Sequence, residues 1–111
     1  MVREYIHTSK EHLPTIVNNL LNDVEAEVRN AAASHITDIC KNFERNIIIE
    51  IILPTLQKLS NDSSDFVRAT IASEMSALTI VLGNEDTVTH VLPILLCLLR
   101  DENTTVILSM N

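Results

Sequence analysis

Apolar residues recur every three or four positions along most of the chain, which is the spacing of one face of an α-helix. Two of these stripes are Val28, Ala32, Ile36, Ile39 and Phe43, and Val67, Ile71, Met75, Leu78 and Leu82. Three others are Leu13, Val17 and Leu20, then Ile48, Ile52, Leu56 and Leu59, then Val88, Leu92, Leu95 and Leu98. Short polar segments rich in Asn, Asp and Ser separate them, so the pattern predicts pairs of helices joined by short turns.

The predicted pairs share three markers, which are a Leu-Pro dipeptide in the first helix, an aspartate in the turn, and a valine five residues after that aspartate. The markers are Leu13-Pro14, Asp23 and Val28, then Leu53-Pro54, Asp62 and Val67, then Leu92-Pro93, Asp101 and Val106. The aspartates and valines recur every 39 residues. A unit of this length cannot bury its own apolar face, so the repetition predicts an array of stacked units.

The sequence thus predicts one all-α domain over 1–111, an α-solenoid of antiparallel helix pairs with about two and a half to three repeats. The first unit is expected at about 4–43, the second at about 46–82, and a truncated third at about 85–111. The three prolines are expected to bend the first helices, because a proline lacks the amide hydrogen and crowds the carbonyl four residues earlier.

The second unit resembles the HEAT-repeat pattern through Pro54, Asp62, Val67 and Arg68. The first unit carries the same pattern with one extra residue, and Ile107 stands in the third unit where the others have Arg29 and Arg68. Within that family, the alanine-rich segment 25–35, together with 52–54, 81–83, Thr87 and 90–93, resembles the scaffold subunits of protein phosphatase 2A. The likeness runs from about Leu13 to the end of the chain.

This resemblance implies a right-handed solenoid without catalysis that holds regulatory B-type subunits and a catalytic subunit along a ridge formed by the turns inside each repeat. On this chain the ridge consists of Asn22, Asp23, Val24, Glu25, Asn61, Asp62, Ser63, Ser64, Asp101, Glu102, Asn103 and Thr104. Helix capping is the structural interpretation of the same turn residues. The resemblance also implies a ladder of ion pairs between repeats, formed by Asp23, Arg29, Asp62, Arg68 and Asp101.

The third unit stops after a few residues of its second helix, which should leave its first helix without a covering neighbour. The affected side chains are expected to be Leu92, Leu95, Leu96 and Leu99. Exposed leucines gain free energy when another surface covers them. The sequence therefore predicts self-association, or exchange of a helix with a second copy.

Composition narrows the class of partner. Fifteen acidic and eight basic residues give a formal charge of −7, and only 3% of the residues are aromatic. Proteins that bind the phosphates of nucleic acids carry positive charge, whereas this chain is negatively charged. Nucleic acid is therefore an unfavourable partner, and a basic protein surface is a favourable one. The longest apolar run, 91–99, is too short to span a bilayer. Cys40 and Cys97 show no disulfide spacing, and we expect reduced core thiols in a cytoplasmic or nuclear protein.

Two alternatives to a phosphatase scaffold stay open at this level. One is a general HEAT-repeat adaptor of transport or chromatin machinery. The other is a helical-repeat metalloenzyme, which is disfavoured because His12, His35 and His90 lie in separate predicted elements and no His-Glu dipeptide occurs. The sequence predicts no catalytic residue, no metal site and no cofactor.

Overall fold

The structure is a computed structural model that describes the backbone of residues 2–110 and the side chains of residues 12–110. Its α-helices are α1 (Val2–Leu21), α2 (Ala26–Ser34), α3 (Ile36–Cys40), α4 (Arg45–Ile47), α5 (Leu53–Leu59), α6 (Asp65–Leu82), α7 (Asn84–Asp86), α8 (Leu92–Leu99) and α9 (Thr104–Leu108). Two π-helical turns, Ile48–Ile52 and Thr87–Val91, join α4 to α5 and α7 to α8. No strand occurs between residues 2 and 110, and the prediction of an all-helical solenoid is confirmed.

Three helical pairs follow one another along the chain. The first pair is α1 with α2 and α3, the second is α4 and α5 with α6, and the third is α7 and α8 with α9. Helix α6 lies at the centre, where it packs against α2 and α3 on one side and against α8 and α9 on the other. Its apolar stripe Val67, Ile71, Met75 and Leu78 is fully buried. Neighbouring pairs therefore supply the core that no single pair could form alone.

The structure places a π-helical turn before two of the three prolines. The amide of Leu53 donates to the carbonyl of Ile48, and the amide of Leu92 donates to the carbonyl of Thr87, in both cases five residues back. A π-helical turn adds a residue to the turn and so changes which carbonyl faces the proline ring. The α-helical ladder is thus interrupted before Pro54 and Pro93, whereas Pro14 lies within α1. The bend expected at the prolines stays a prediction.

The second helix of the first pair is interrupted, although its apolar stripe predicts one continuous helix. His35 separates α2 from α3 with φ −111° and ψ 7°. The interruption leaves the amide of Thr37 free to donate to a carboxylate oxygen of Glu74, at 3.2 Å, and the Thr37 hydroxyl donates to the Glu74 carbonyl at 3.1 Å. Contacts with the neighbouring pair therefore outweigh the helical period here.

The leucines of α8 are only partly uncovered. Leu92, Leu96 and Leu99 are exposed, as the sequence predicts. The expectation was wrong for Leu95, which is partly buried and packs against the core. Over the part of the chain that the structure describes, none of the helices combines the length and the apolar character that a bilayer span requires.

Candidate protein-binding ridge

Each turn inside a pair is organised by its aspartate. The carboxylate accepts a hydrogen bond from the backbone amide two residues later, which is Glu25 for Asp23 at 2.9 Å, Ser64 for Asp62 at 3.0 Å and Asn103 for Asp101 at 2.9 Å. Aspartate favours such turns because its short side chain reaches the nearby amide. These aspartates therefore order the turns themselves, two residues before the helix N-cap.

Side-chain capping of the following helices is found at one of the three turns. The Asn103 side chain accepts from the amide of Thr105 at 2.9 Å, at the start of α9. Glu25 and Ser64 hold the same N-cap position before α2 and α6 and make no such bond. The capping interpretation of the turn residues thus fits Asn103 and not its two counterparts.

Two arginine–aspartate pairs connect successive turns. The guanidinium of Arg29 in α2 donates to both carboxylate oxygens of Asp62, with Nε–Oδ1 at 2.8 Å and Nη2–Oδ2 at 3.0 Å. Arg68 in α6 binds Asp101 in the same way, with distances of 2.6 and 3.4 Å. Both pairs are 33 residues apart in sequence, and all four side chains are largely shielded from solvent. Bidentate pairs of this kind fix geometry as well as adding stability.

The same arginines also hold the turn of their own pair. Arg29 donates through Nη1 to the carbonyls of Asp23 and Val24, at 2.9 and 3.1 Å. Arg68 donates through Nη1 to the carbonyl of Asp62 at 2.7 Å. Each guanidinium therefore bonds to the turn of its own pair and to the aspartate of the next turn. Arginine can do this because its guanidinium has several N–H donors in a planar arrangement, which lysine lacks.

The ion pairs shift the pKa values of Arg29, Arg68 and Asp101. The hydrogen bond from Arg68 is the main cause that lowers the pKa of Asp101, and burial opposes it in part. The hydrogen bond to Asp62 likewise raises the pKa of Arg29. Both shifts favour the charged forms of Asp101 and Arg29.

The ridge residues divide into a structural set and an exposed set. The carboxylates of Asp62 and Asp101 are bonded to the ladder arginines. Val24, in contrast, is 90% exposed and is the most exposed large apolar side chain described. The other ridge side chains that face solvent are Asn22, Glu25, Asn61, Ser63, Glu102 and Thr104. Clefts of about 330 and 480 Å³ lie between the first and second turns and between the second and third.

Further contacts reinforce the register of these turns. Lys58 Nζ donates to Asn22 Oδ1 at 3.0 Å, across the first cleft. Asn103 Nδ2 donates to Asp65 Oδ2 at 2.9 Å, between the third turn and α6. Each of these contacts therefore links the turn of one pair to the neighbouring pair.

Sequence reasoning missed an ion pair between Arg45 and Asp86, which lies away from the ridge and joins the start of α4 to the end of α7. Both distances are 2.6 Å, and the Asp86 carboxylate is nearly buried. The hydrogen bond from Arg45 is the main cause that lowers the pKa of Asp86. The residue 39 positions after Arg45 is Asn84, so no repeated marker indicated this contact.

The two cysteines have different environments, although both are free thiols. Cys40 is fully buried, and burial raises its pKa to about 12. The expectation of a core thiol is wrong for Cys97, which is partly exposed and lines the second cleft with Sγ 3.6 Å from Asn61 Oδ1. Across the described part of the chain, no three His, Cys, Asp or Glu side chains lie close enough together to hold a metal ion.

Comparison with known proteins gives a family match over residues 8–83, to the PPP2R1A-like HEAT repeat. The beta isoform of the human 65 kDa regulatory A-type subunit of serine/threonine-protein phosphatase 2A is 40% identical over 88 residues, which is 76% of this chain and 15% of that protein. The same isoform from mouse is 38% identical over 65% of this chain and 13% of its own length. A Candida glabrata protein named non-specific serine/threonine protein kinase is 26% identical over 98% of this chain and 8% of its own length.

The chain thus spans about a seventh or less of the length of these relatives. The family match covers more than half of the chain and includes the first two turns and the Arg29–Asp62 pair. Two of the three relatives are named as regulatory subunits. The resemblance in sequence is confirmed, and the chain belongs to the PPP2R1A-like HEAT-repeat family.

Proposed function

We propose that this chain is a non-catalytic scaffold module whose ridge binds protein partners, namely the regulatory B-type subunits and the catalytic subunit of a phosphatase like protein phosphatase 2A. The observation that carries the proposal is the ladder of Arg29–Asp62 and Arg68–Asp101, which links three turns in one register. The names of the relatives support the choice of partner.

A ridge of this kind suits binding because its backbone is already ordered. Each turn is held by an aspartate–amide bond, and neighbouring turns are held by a shielded ion pair. A partner therefore does not have to order the loops, and this lowers the entropic cost of association. The ladder residues act as support, and the exposed residues make the contacts.

Charge indicates which partner surface fits. Glu25 and Glu102 are exposed on the ridge, Glu27 and Asp65 lie exposed in the first turns of α2 and α6, and the whole chain carries −7. The exposed bases of the same region are Lys58 and Arg100. A partner segment with a net positive charge would be complementary, and complementarity of this kind raises the rate of association. We propose a cytoplasmic or nuclear setting for this interaction.

The test is a binding titration of the full chain against the purified catalytic subunit, and separately against a B-type regulatory subunit. The ridge variant combines Glu25→Lys with Glu102→Lys, and the matched control combines Glu44→Lys with Glu50→Lys, which are exposed side chains outside the ridge. Both variants change the net charge equally. Binding of one of the subunits should weaken by about tenfold or more in the ridge variant only, equivalent to about 1.4 kcal/mol.

Two outcomes would contradict the proposal. Equal losses in the ridge and control variants would show that net charge, and not the ridge, governs the affinity. Absence of binding to either subunit, with the circular dichroism spectrum of a folded helical protein, would remove the proposed partners.

A further inference from the structure

A small cavity lies beside the ridge, between the start of α6 and the third turn. Its volume is about 190 Å³, and it is lined by Asp65, Phe66, Ala69, Asn103 and Thr105. Asn103 alone of these five belongs to the ridge residues predicted from the sequence. We call this cavity the Phe66 pocket.

Two of the lining side chains make part of the pocket apolar. Phe66 is 44% exposed, although the next residue, Val67, is fully buried. Ala69 lies three residues further along α6, on the same side of the helix, and packs against the core. The pocket therefore combines a small methyl group with an aromatic ring that is open to solvent, and the face of such a ring attracts cations.

Asp65 adds a carboxylate whose position is fixed by Asn103. Asp65 Oδ2 accepts from Asn103 Nδ2 at 2.9 Å, and Asn103 Oδ1 in turn accepts from the amide of Thr105 at 2.9 Å. Among the described residues, Asp65 Oδ1 accepts no hydrogen bond and Asp65 forms no ion pair. The guanidinium of Arg68, three residues away, is bonded to Asp101 instead. The charge of Asp65 is thus available to a group from outside the chain.

The equivalent position between the first and second pairs carries a polar contact instead. The residues 39 positions before Phe66 and Ala69 are Glu27 and Asn30. Asn30 Oδ1 accepts a hydrogen bond from the hydroxyl of Thr70 in the second pair. A polar side chain bonded to the next pair therefore stands where Ala69 has only a methyl group. The combination of ring, methyl group and carboxylate is specific to the junction of the second and third pairs.

We infer that the Phe66 pocket binds an arginine side chain of a protein partner. The guanidinium stacks on the Phe66 ring and pairs with Asp65 Oδ1, and the aliphatic part of the arginine covers Ala69. Arginine suits this site better than lysine, because its guanidinium is planar, is weakly hydrated and can stack on a ring and bind a carboxylate at once. The formal charge of −7 favours the approach of a basic segment. The inference rests on the proposed function in that the arginine belongs to a partner of the ridge, and it identifies one contact of that partner.

The test uses an N-acetylated, C-amidated Gly-Arg-Gly peptide as the probe. The matched peptide carries citrulline in place of arginine, which keeps the shape of the side chain and removes its charge. Each peptide is titrated into the isotope-labelled full chain. We expect the arginine peptide to shift the side-chain amide signals of Asn103 and the backbone amide of Phe66, with a dissociation constant on the order of millimolar. The citrulline peptide should bind at least about fivefold more weakly.

Three variants assign the binding to the pocket. Asp65→Asn removes the charge and Phe66→Leu removes the ring, and each should weaken binding of the arginine peptide by at least about threefold. Glu50→Gln is the matched control, because it removes an exposed carboxylate outside the pocket and should leave the binding unchanged. Circular dichroism checks that the variants stay helical. If Phe66→Leu loses helicity, Asp65→Asn decides the result.

Binding of the arginine peptide that weakens in Asp65→Asn and not in Glu50→Gln supports the inference. Equal binding of the two peptides, equal losses in Asp65→Asn and Glu50→Gln, or no shift at Asn103 at millimolar peptide would overturn it. The probe contains no phosphatase subunit, so this result is separate from the ridge titration. A chain that binds the arginine peptide in this way and neither subunit would refute the proposed partners alone.

Discussion

Arg29 and Asp62 lie 33 residues apart and belong to different helical pairs, yet their guanidinium and carboxylate meet edge to edge at 2.8 and 3.0 Å. Asp62 simultaneously accepts the amide of Ser64, and its carbonyl accepts from Arg68. One aspartate therefore closes its own turn, receives the arginine of the pair before it, and anchors the arginine that reaches the pair after it. A substitution that breaks one of the two ion pairs should therefore weaken the other ion pair as well.

Loss of a ladder arginine should destabilise the fold. Arg68→Ala leaves the Asp101 carboxylate, which is 9% exposed, without its guanidinium, and we expect the free energy of unfolding to fall by about 1–3 kcal/mol. Urea unfolding at neutral pH measures this change. The control is Lys41→Ala, which removes an exposed pair with Asp38 and should change the value by less than about 0.5 kcal/mol. Equal losses in the two variants would contradict a structural role of the ladder.

The free energy of unfolding should decrease at acidic pH because the Asp101 carboxylate becomes protonated. Its folded-state pKa is lowered by Arg68, so the unfolded chain takes up the proton first as the pH falls. The contribution is complete above about pH 4 and is lost as the pH drops through the folded-state pKa. Asp101→Asn should therefore show a shallower fall of unfolding free energy below pH 4 than the wild-type chain. Arg68→Ala should show the same shallower slope, and parallel curves for all three proteins would refute the assignment.

The two thiols should differ in reactivity. Burial raises the pKa of Cys40 to about 12, so almost no thiolate forms near neutral pH, and the side chain is inaccessible. Cys97 is partly exposed in the second cleft. Mass spectrometry after brief iodoacetamide treatment of the folded chain should find one adduct, at Cys97, and none in Cys97→Ser. Labelling of Cys40 at a comparable rate would mean that the first pair opens readily.

Self-association through the third pair remains a prediction from both sequence and structure. Leu92, Leu96 and Leu99 are 40–53% exposed, and covering a leucine fully contributes up to about 1.5–3 kcal/mol. Sedimentation velocity at low micromolar concentration should show association in the wild-type chain that Leu96→Glu with Leu99→Glu reduces. Ile80→Glu is the control, because Ile80 is a highly exposed residue on α6, away from this patch. A wild-type chain that sediments only as monomer would reject the prediction.

The repeated markers explain why so much of the fold could be predicted. Helical periodicity located both helices of each pair, and the 39-residue recurrence located the turns at Asp23, Asp62 and Asp101. Arg29, Asp62, Arg68 and Asp101 form the ladder as the family pattern implied. Asp23 was expected in the ladder as well, but among the described residues its carboxylate accepts the amide of Glu25 and forms no ion pair with an arginine. Equivalent residues of different pairs make equivalent contacts, because each pair packs on the next through the same face.

Features that do not recur with the repeat could not be predicted in this way. The Arg45–Asp86 pair joins positions 41 residues apart that have no counterparts in the other pairs, so nothing in the sequence distinguished these charges from solvated ones. The interruption at His35 reflects a bond between Thr37 and Glu74 that periodicity does not contain. The π-helical turns before Pro54 and Pro93 likewise depend on how each first helix is seated on its neighbours.

The amino-acid sequence alone determined that this chain is a stacked array of helical pairs and which side chains form its repeating contacts, because periodicity and spacing are local properties of the chain. The tertiary structure alone decided which members of each set are buried, paired or open. Val28 and Val67 occupy the same position of their repeats, yet one lines an open groove and the other is fully buried. Burial depends on the presence of a neighbouring pair, and the local sequence of a repeat does not contain that information.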